Sequence, residues 1–141
     1  MSSLEKRAWL TLGSMLPPYV VYFAILAWFP QLRAGFLDAF LVLAATATVH
    51  AIAYIVGYAI FKHRERGEPL QEDERDRAID GRATRAAYFM LLTGMIVVGM
   101  VMPFTRGGWD VVNAALLVIV LGETLRHVLI IVGYRRPRLA Y

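Results

Sequence analysis

Four apolar runs occupy most of this chain: Trp9–Phe29, Phe36–Phe61, Ala83–Phe104 and Trp109–Tyr134. Each approaches or exceeds the roughly 20 residues that a helix needs to cross the hydrocarbon of a bilayer. No water reaches that depth, so every backbone N–H and C=O must find its partner inside the segment or in a closed barrel. Runs of this length therefore predict helices. The expected fold is all-α: an integral membrane four-helix bundle built from two tandem helical hairpins. The chain has 141 residues, 58% of them hydrophobic. Little is left over, so residues 1–141 read as a single transmembrane domain with one hydrophilic loop, 62–82. The chain has no cysteine, which excludes a disulfide and any thiolate metal or iron–sulfur site.

The net charge of +4 reads as topology rather than nucleic-acid binding. Lys6, Arg7, the bases of the central loop and Arg135, Arg136 and Arg138 fall on one side. The opposite loops carry only Arg33 and Arg106. The excess of Lys and Arg on cytoplasmic loops then places both termini and the central loop in the cytosol. The expected location is the cytoplasmic (inner) membrane of a bacterium or archaeon. Lys6 and Arg7 precede an apolar run that is too long for a signal peptide and lacks a small-residue cleavage site, so it reads as a retained first span.

Along the chain, Pro17-Pro18 sit inside span one. Their rings clash with the carbonyls of Gly13 and Ser14 one turn earlier and predict a bend. Thr11 and Ser14 are placed to re-satisfy the freed groups. Span two is rich in small residues, with Ala47/Ala51 and Ala53/Gly57 spaced for close helix approach. Thr46, His50 and Tyr54 are four apart and share one face of it. Gly67 and Pro69 interrupt the central loop. Glu72, Asp73, Glu74 and Asp76 then precede Arg77, Arg82 and Arg85, the charge order of a helix start.

The two halves echo each other. At a constant offset of 73 residues, Pro30 matches Pro103, Arg33 matches Arg106, Gly35 matches Gly108 and Phe36 matches Trp109. The tetrapeptide IVGY occurs at Ile55–Tyr58 and again at Ile131–Tyr134. This suggests a parallel pseudo-repeat about an axis along the membrane normal. The same offset relates His50 to Glu123 and Tyr54 to His127, and predicts that spans two and four bring His50 and Glu123 together at one depth.

Glu123, Arg126 and His127 lie near the middle and in the second half of span four, where a charged side chain costs a few kcal/mol unless it is partnered or wetted. Four readings stand side by side. Arg126 pairs with Glu123 and the cluster is a structural tie. His50, Glu123 and His127 supply N and O ligands for a divalent ion such as Zn²⁺. A histidine and a raised carboxyl relay protons. The two histidines hold an organic cofactor such as haem, against which stands their offset of one helical turn. No cofactor is expected beyond that metal candidate. No H-E-x-x-H, G-x-S-x-G or phosphate loop occurs, so no enzymatic activity is expected.

The stretch Asp73–Tyr88, DERDRAIDGRATRAAY, resembles a family of small bacterial and archaeal integral membrane proteins of unknown function. In that family an Asp-Glu-Arg motif followed by an isoleucine precedes the third of four spans. Here the matching residues are Asp73, Glu74, Arg75 and Ile79. The resemblance implies no catalytic residue. Its members look like proteins encoded beside small helix-turn-helix regulators, which favours a cytosolic protein partner at Asp73, Glu74, Arg75, Arg77 and Ile79.

The expected function is thus that of a non-enzymatic membrane protein. It self-associates, with a dimer favoured, through small-residue faces and offers a cytosolic docking helix. The alternative is a small ion- or proton-coupled transporter using the buried His/Glu site. The lipid bilayer is the one partner common to both, and no direct nucleic-acid binding is expected.

Overall fold

The computed structural model describes residues 2–33, 35–64 and 73–135. Four long helices account for nearly all of them: α1 Ser3–Trp28, α2 Phe36–Arg64, α3 Glu74–Ile96 and α4 Gly108–Arg135. A 3-10 turn, Pro30–Arg33, joins α1 to α2. Beyond α3 the chain continues through a π-helical segment, Val97–Val101, and a 3-10 turn, Met102–Phe104. No strand occurs among the described residues. By length and composition, four helical stretches are able to cross a membrane, the third being Glu74–Phe104 taken as a whole. Gly67, Pro69 and Glu72 of the hydrophilic loop, and Arg136 and Arg138, lie outside the described residues.

Local chemistry sets the helix ends. The Ser2 hydroxyl accepts from the Glu5 N–H (3.2 Å) and caps α1; the Asp73 carboxylate accepts from the Glu74 N–H (2.7 Å) and caps α3. Each satisfies one of the N–H groups that a helix start leaves without an intrahelical partner. α1 stays helical through Pro17 and Pro18. Its hydroxyls do not serve the carbonyls of Gly13 and Ser14 as expected. Thr11 donates to Arg7 O and Ser14 to Thr11 O, each at 3.1 Å. At the far end of the third span, Met102 N–H bonds Val97 O, five residues back. Pro103 has no N–H to return to Gly99, and the helix widens and then tightens around that gap.

α1 packs on α2 and on α4, and α4 packs on α3. The lateral order is therefore α2–α1–α4–α3. Within the most apolar stretch of each helix, 28% is buried in α1 and in α4, 6% in α2 and 11% in the third span. α1 and α4 are thus the inner pair. This corrects the expectation that spans two and four lie side by side: α1 stands between α2 and α4. Those two meet where the rings of Phe36 and Trp109 lie 5.5 Å apart, at the end opposite the termini, and make no extensive contact.

The buried core sits at the end carrying the termini. Ala8 and Leu12 of α1, Ala83 of α3, and Ile130 and Ile131 of α4 form it, with Ile79 and Tyr134 packed against them. Glycines set how closely the helices approach. A Cβ on Gly57 would collide with Leu10 of α1, and one on Gly133 would lie 2.8 Å from Ile79 of α3. In each hairpin, then, the glycine of the IVGY sequence receives an aliphatic side chain from the preceding helix. Lipid tails are as apolar as these side chains, so it is tight packing and polar contacts, more than exclusion from water, that hold such helices together.

Candidate functional site

α4 carries several polar contacts to its neighbours. Nearest the loop end, the Tyr22 hydroxyl on α1 donates to Asn113 Oδ1 on α4 (2.6 Å), and Tyr22 is fully buried. Further along, Arg126 Nη2 bonds Asp80 Oδ1 on α3 (3.0 Å) and Arg126 Nε bonds the Thr84 hydroxyl (3.1 Å). At the terminal end, the Tyr134 hydroxyl donates to Asp76, a buried carboxylate, while the Arg75 guanidinium lies 5.6 Å from the Tyr134 ring centre. Arg135 lies over the Trp9 ring at 5.7 Å, which ties α4 to the start of α1.

These contacts revise the reading of Arg126. It is not the partner of Glu123; its fork is taken by α3. Sequence reasoning passed over Asp80 and Thr84 and took Asp76 only as one acid of a helix start. The three are four apart and form one stripe along α3, and that period was the signal available in the sequence. The charges of Asp76 and Asp80 made the stripe look like a solvated face. Asn113 gave a weaker signal, a lone amide in an apolar run.

Three of the motif residues of α3 make contacts that hold the helix in place. Asp73 caps the helix. Arg75 stacks on Tyr134. Ile79 fills the space over Gly133. Asp73, Glu74 and Arg77 are exposed. A small open pocket of about 70 Å³ lies beside them, lined by Ser3, Leu4, Arg7, Asp76, Arg77 and Asp80.

The expected His50, Glu123, His127 constellation is not assembled within the chain. Among the described residues, no three His, Cys, Asp or Glu side chains stand together as a metal would require. His50 meets the edge of Tyr19 on α1, with ring centres 5.6 Å apart. Thr46 turns back to the Val42 carbonyl (2.8 Å) and Tyr54 stacks on Tyr58 of its own helix. His127 is buried and its Nδ1 lies 2.7 Å from the Glu123 carbonyl, which makes Nδ1–H the donor. The same nitrogen is 3.6 Å from Glu123 Oε2. The Glu123 side chain is 46% exposed, near the middle of a 28-residue membrane-length helix. It is a half-exposed acid with one weak contact among the described residues.

The model of a family described as predicted membrane protein (DUF2178) matches residues 19–138. The chain belongs to this family. No curated protein and no solved structure matches the chain. The family's description gives a membrane character and no activity, in keeping with four apolar helices whose best-organised contacts are helix ties. The match begins at Tyr19 and so takes in Tyr22, the α3 motif and all of α4.

Proposed function

We propose that this protein of the DUF2178 family is a non-enzymatic, multi-pass protein of the prokaryotic inner membrane that acts by self-association, with a dimer as the favoured state. One observation carries the reading: the half-exposed Glu123 carboxylate near mid-helix. Lipid can cover the valines, alanines and phenylalanines that the outer helices expose. It cannot solvate a carboxyl group, which costs about 3 kcal/mol at the centre of a membrane helix. A second copy lying over this face supplies what lipid does not. The exposed small residues Ala47 and Ala51 of α2 permit close approach of another helix.

Both termini and the α3 start face the cytosol in this reading, on the count of basic residues. Exposed Asp73, Glu74, Arg82 and Arg85 then present alternating charge to a soluble partner. The matching glycine contacts at Gly57 and Gly133 support the pseudo-repeat of the two hairpins.

A second reading rests on the 3.6 Å approach of His127 to Glu123, a pair able to take up and release a proton in an ion- or proton-coupled carrier. One variant separates the two. Glu123→Leu removes the group that needs a partner. Its mass in mild detergent and in lipid discs should shift from dimer to monomer. A dimer as firm as that of the parent chain would rule out association at this face. If Glu123→Gln keeps the dimer but abolishes proton flux present in proteoliposomes of the parent chain, the carrier reading replaces the first.

A further inference from the structure

His50 and Glu123 share an unusual situation. Among the described residues His50 makes no hydrogen bond; its ring meets the edge of Tyr19. Among the described residues the Glu123 side chain has only the loose contact to His127. Both lie at the middle of a membrane-length helix. His50 follows Phe36, at the start of α2, by 14 residues, and Glu123 follows Trp109, near the start of α4, by the same number. That is about 21 Å of rise, so the two sit at one depth. Fourteen residues are also close to four turns, so His50 lies near the face of α2 that holds Phe36, and Glu123 near the face of α4 that holds Trp109. Phe36 and Trp109 touch, so the faces that carry the two polar groups converge at the loop end. Yet α1 keeps α2 and α4 apart.

The lateral order decides what can close this gap. In the row α2–α1–α4–α3, α1 lies midway between α2 and α4. A two-fold axis along the membrane normal, passing beside the open side of α1, lays a second copy over the first in reverse order. α2 of each copy then faces α4 of the other, and α3 stands outside the overlap. The interface is isologous: each contact occurs twice.

We propose that the dimer is closed by two intermolecular pairs, in which His50 of each copy meets Glu123 of the other at mid-membrane depth. This rests on the self-association reading and goes beyond it by naming the partners. The argument is chemical complementarity. An imidazole and a carboxyl group, each lacking a strong partner in its own chain, satisfy each other where hydrocarbon satisfies neither. Small Ala47 and Ala51 beside His50 permit the approach.

The chain has no native cysteine, so placed cysteines report directly. His50→Cys in one tagged copy and Glu123→Cys in a second, differently tagged copy are co-expressed and treated in membranes with a short bis-maleimide. A heterodimer of these copies keeps one native His50–Glu123 pair, because the two-fold axis makes two. The expected result is conversion of both tags to a species of twice the monomer mass, with no such species when either copy is expressed alone. A second pair one turn nearer the loop end, Ala47→Cys with Ile119→Cys, removes no polar group and should link in the same way. If the chains are dimeric by mass but neither pair links across copies, or if His50→Cys links to itself, the pairing is wrong while self-association stands. If the parent chain is monomeric in lipid, both readings fall together.

Discussion

Tyr22 and Asn113 illustrate what one hydrogen bond does in a bundle of this kind. The pair joins α1 to α4 at 2.6 Å with the tyrosine fully buried. Neither residue belongs to a motif. A double-mutant cycle with Tyr22→Phe and Asn113→Leu should give a coupling of about 1 kcal/mol in thermal or denaturant unfolding, the scale found for polar contacts between membrane helices. Strictly additive losses would show that the two helices do not depend on this bond. Arg126 teaches a related lesson. Its spacing from Glu123 permits a pair on one helix, but a planar fork satisfied by Asp80 and Thr84 across an interface binds two helices at once.

Among the helices, α4 is tied by polar contacts on both sides, while α2 meets α1 through packing at Gly57 and the Tyr19–His50 ring contact. The close approach of α3 to α4 runs through Gly94, where a Cβ would lie 2.5 Å from Val118 Cγ1. Valine is stiff at χ1 and has little freedom to yield. Gly94→Ala should therefore cost about 1–3 kcal/mol by overpacking. Gly99, in the π-helical segment, has nothing within 4 Å of its would-be Cβ. Gly99→Ala should leave unfolding unchanged or raise stability by up to about 1 kcal/mol through backbone entropy. Equal losses at both positions would contradict the close α3–α4 packing. The π-helical segment itself was not legible beforehand. Where the hydrogen-bond ladder absorbs the missing N–H of Pro103 depends on the whole third span.

For the molecule as a whole, the orientation proposed from basic residues has a direct check. In the cysteine-free background, Ser2→Cys should resist a membrane-impermeant maleimide applied to intact cells, while Thr105→Cys, in the opposite loop, should react. The reverse pattern would invert the topology and move the charged start of α3 outside the cell. The packing agrees with one shared end for the termini whichever way they face. Arg135 of α4 lies over Trp9 of α1, and Tyr134 bonds Asp76 of α3.

Length and hydropathy alone determined that this chain is helical and has four membrane-length spans, because hydrocarbon leaves a backbone no other open-chain option. A helix start near Asp73 was also legible, since Glu72, Asp73, Glu74 and Asp76 precede Arg77, Arg82 and Arg85. The order of the helices was not. All four spans are almost equally apolar, so nothing in their periodicity says which face meets which neighbour. Only the tertiary fold decided that α1 separates α2 from α4, because close packing at Gly57, Gly94 and Gly133 depends on matched shapes that a list of residues does not contain. That single choice sent Arg126 to Asp80 and left His50 and Glu123 without each other inside one chain.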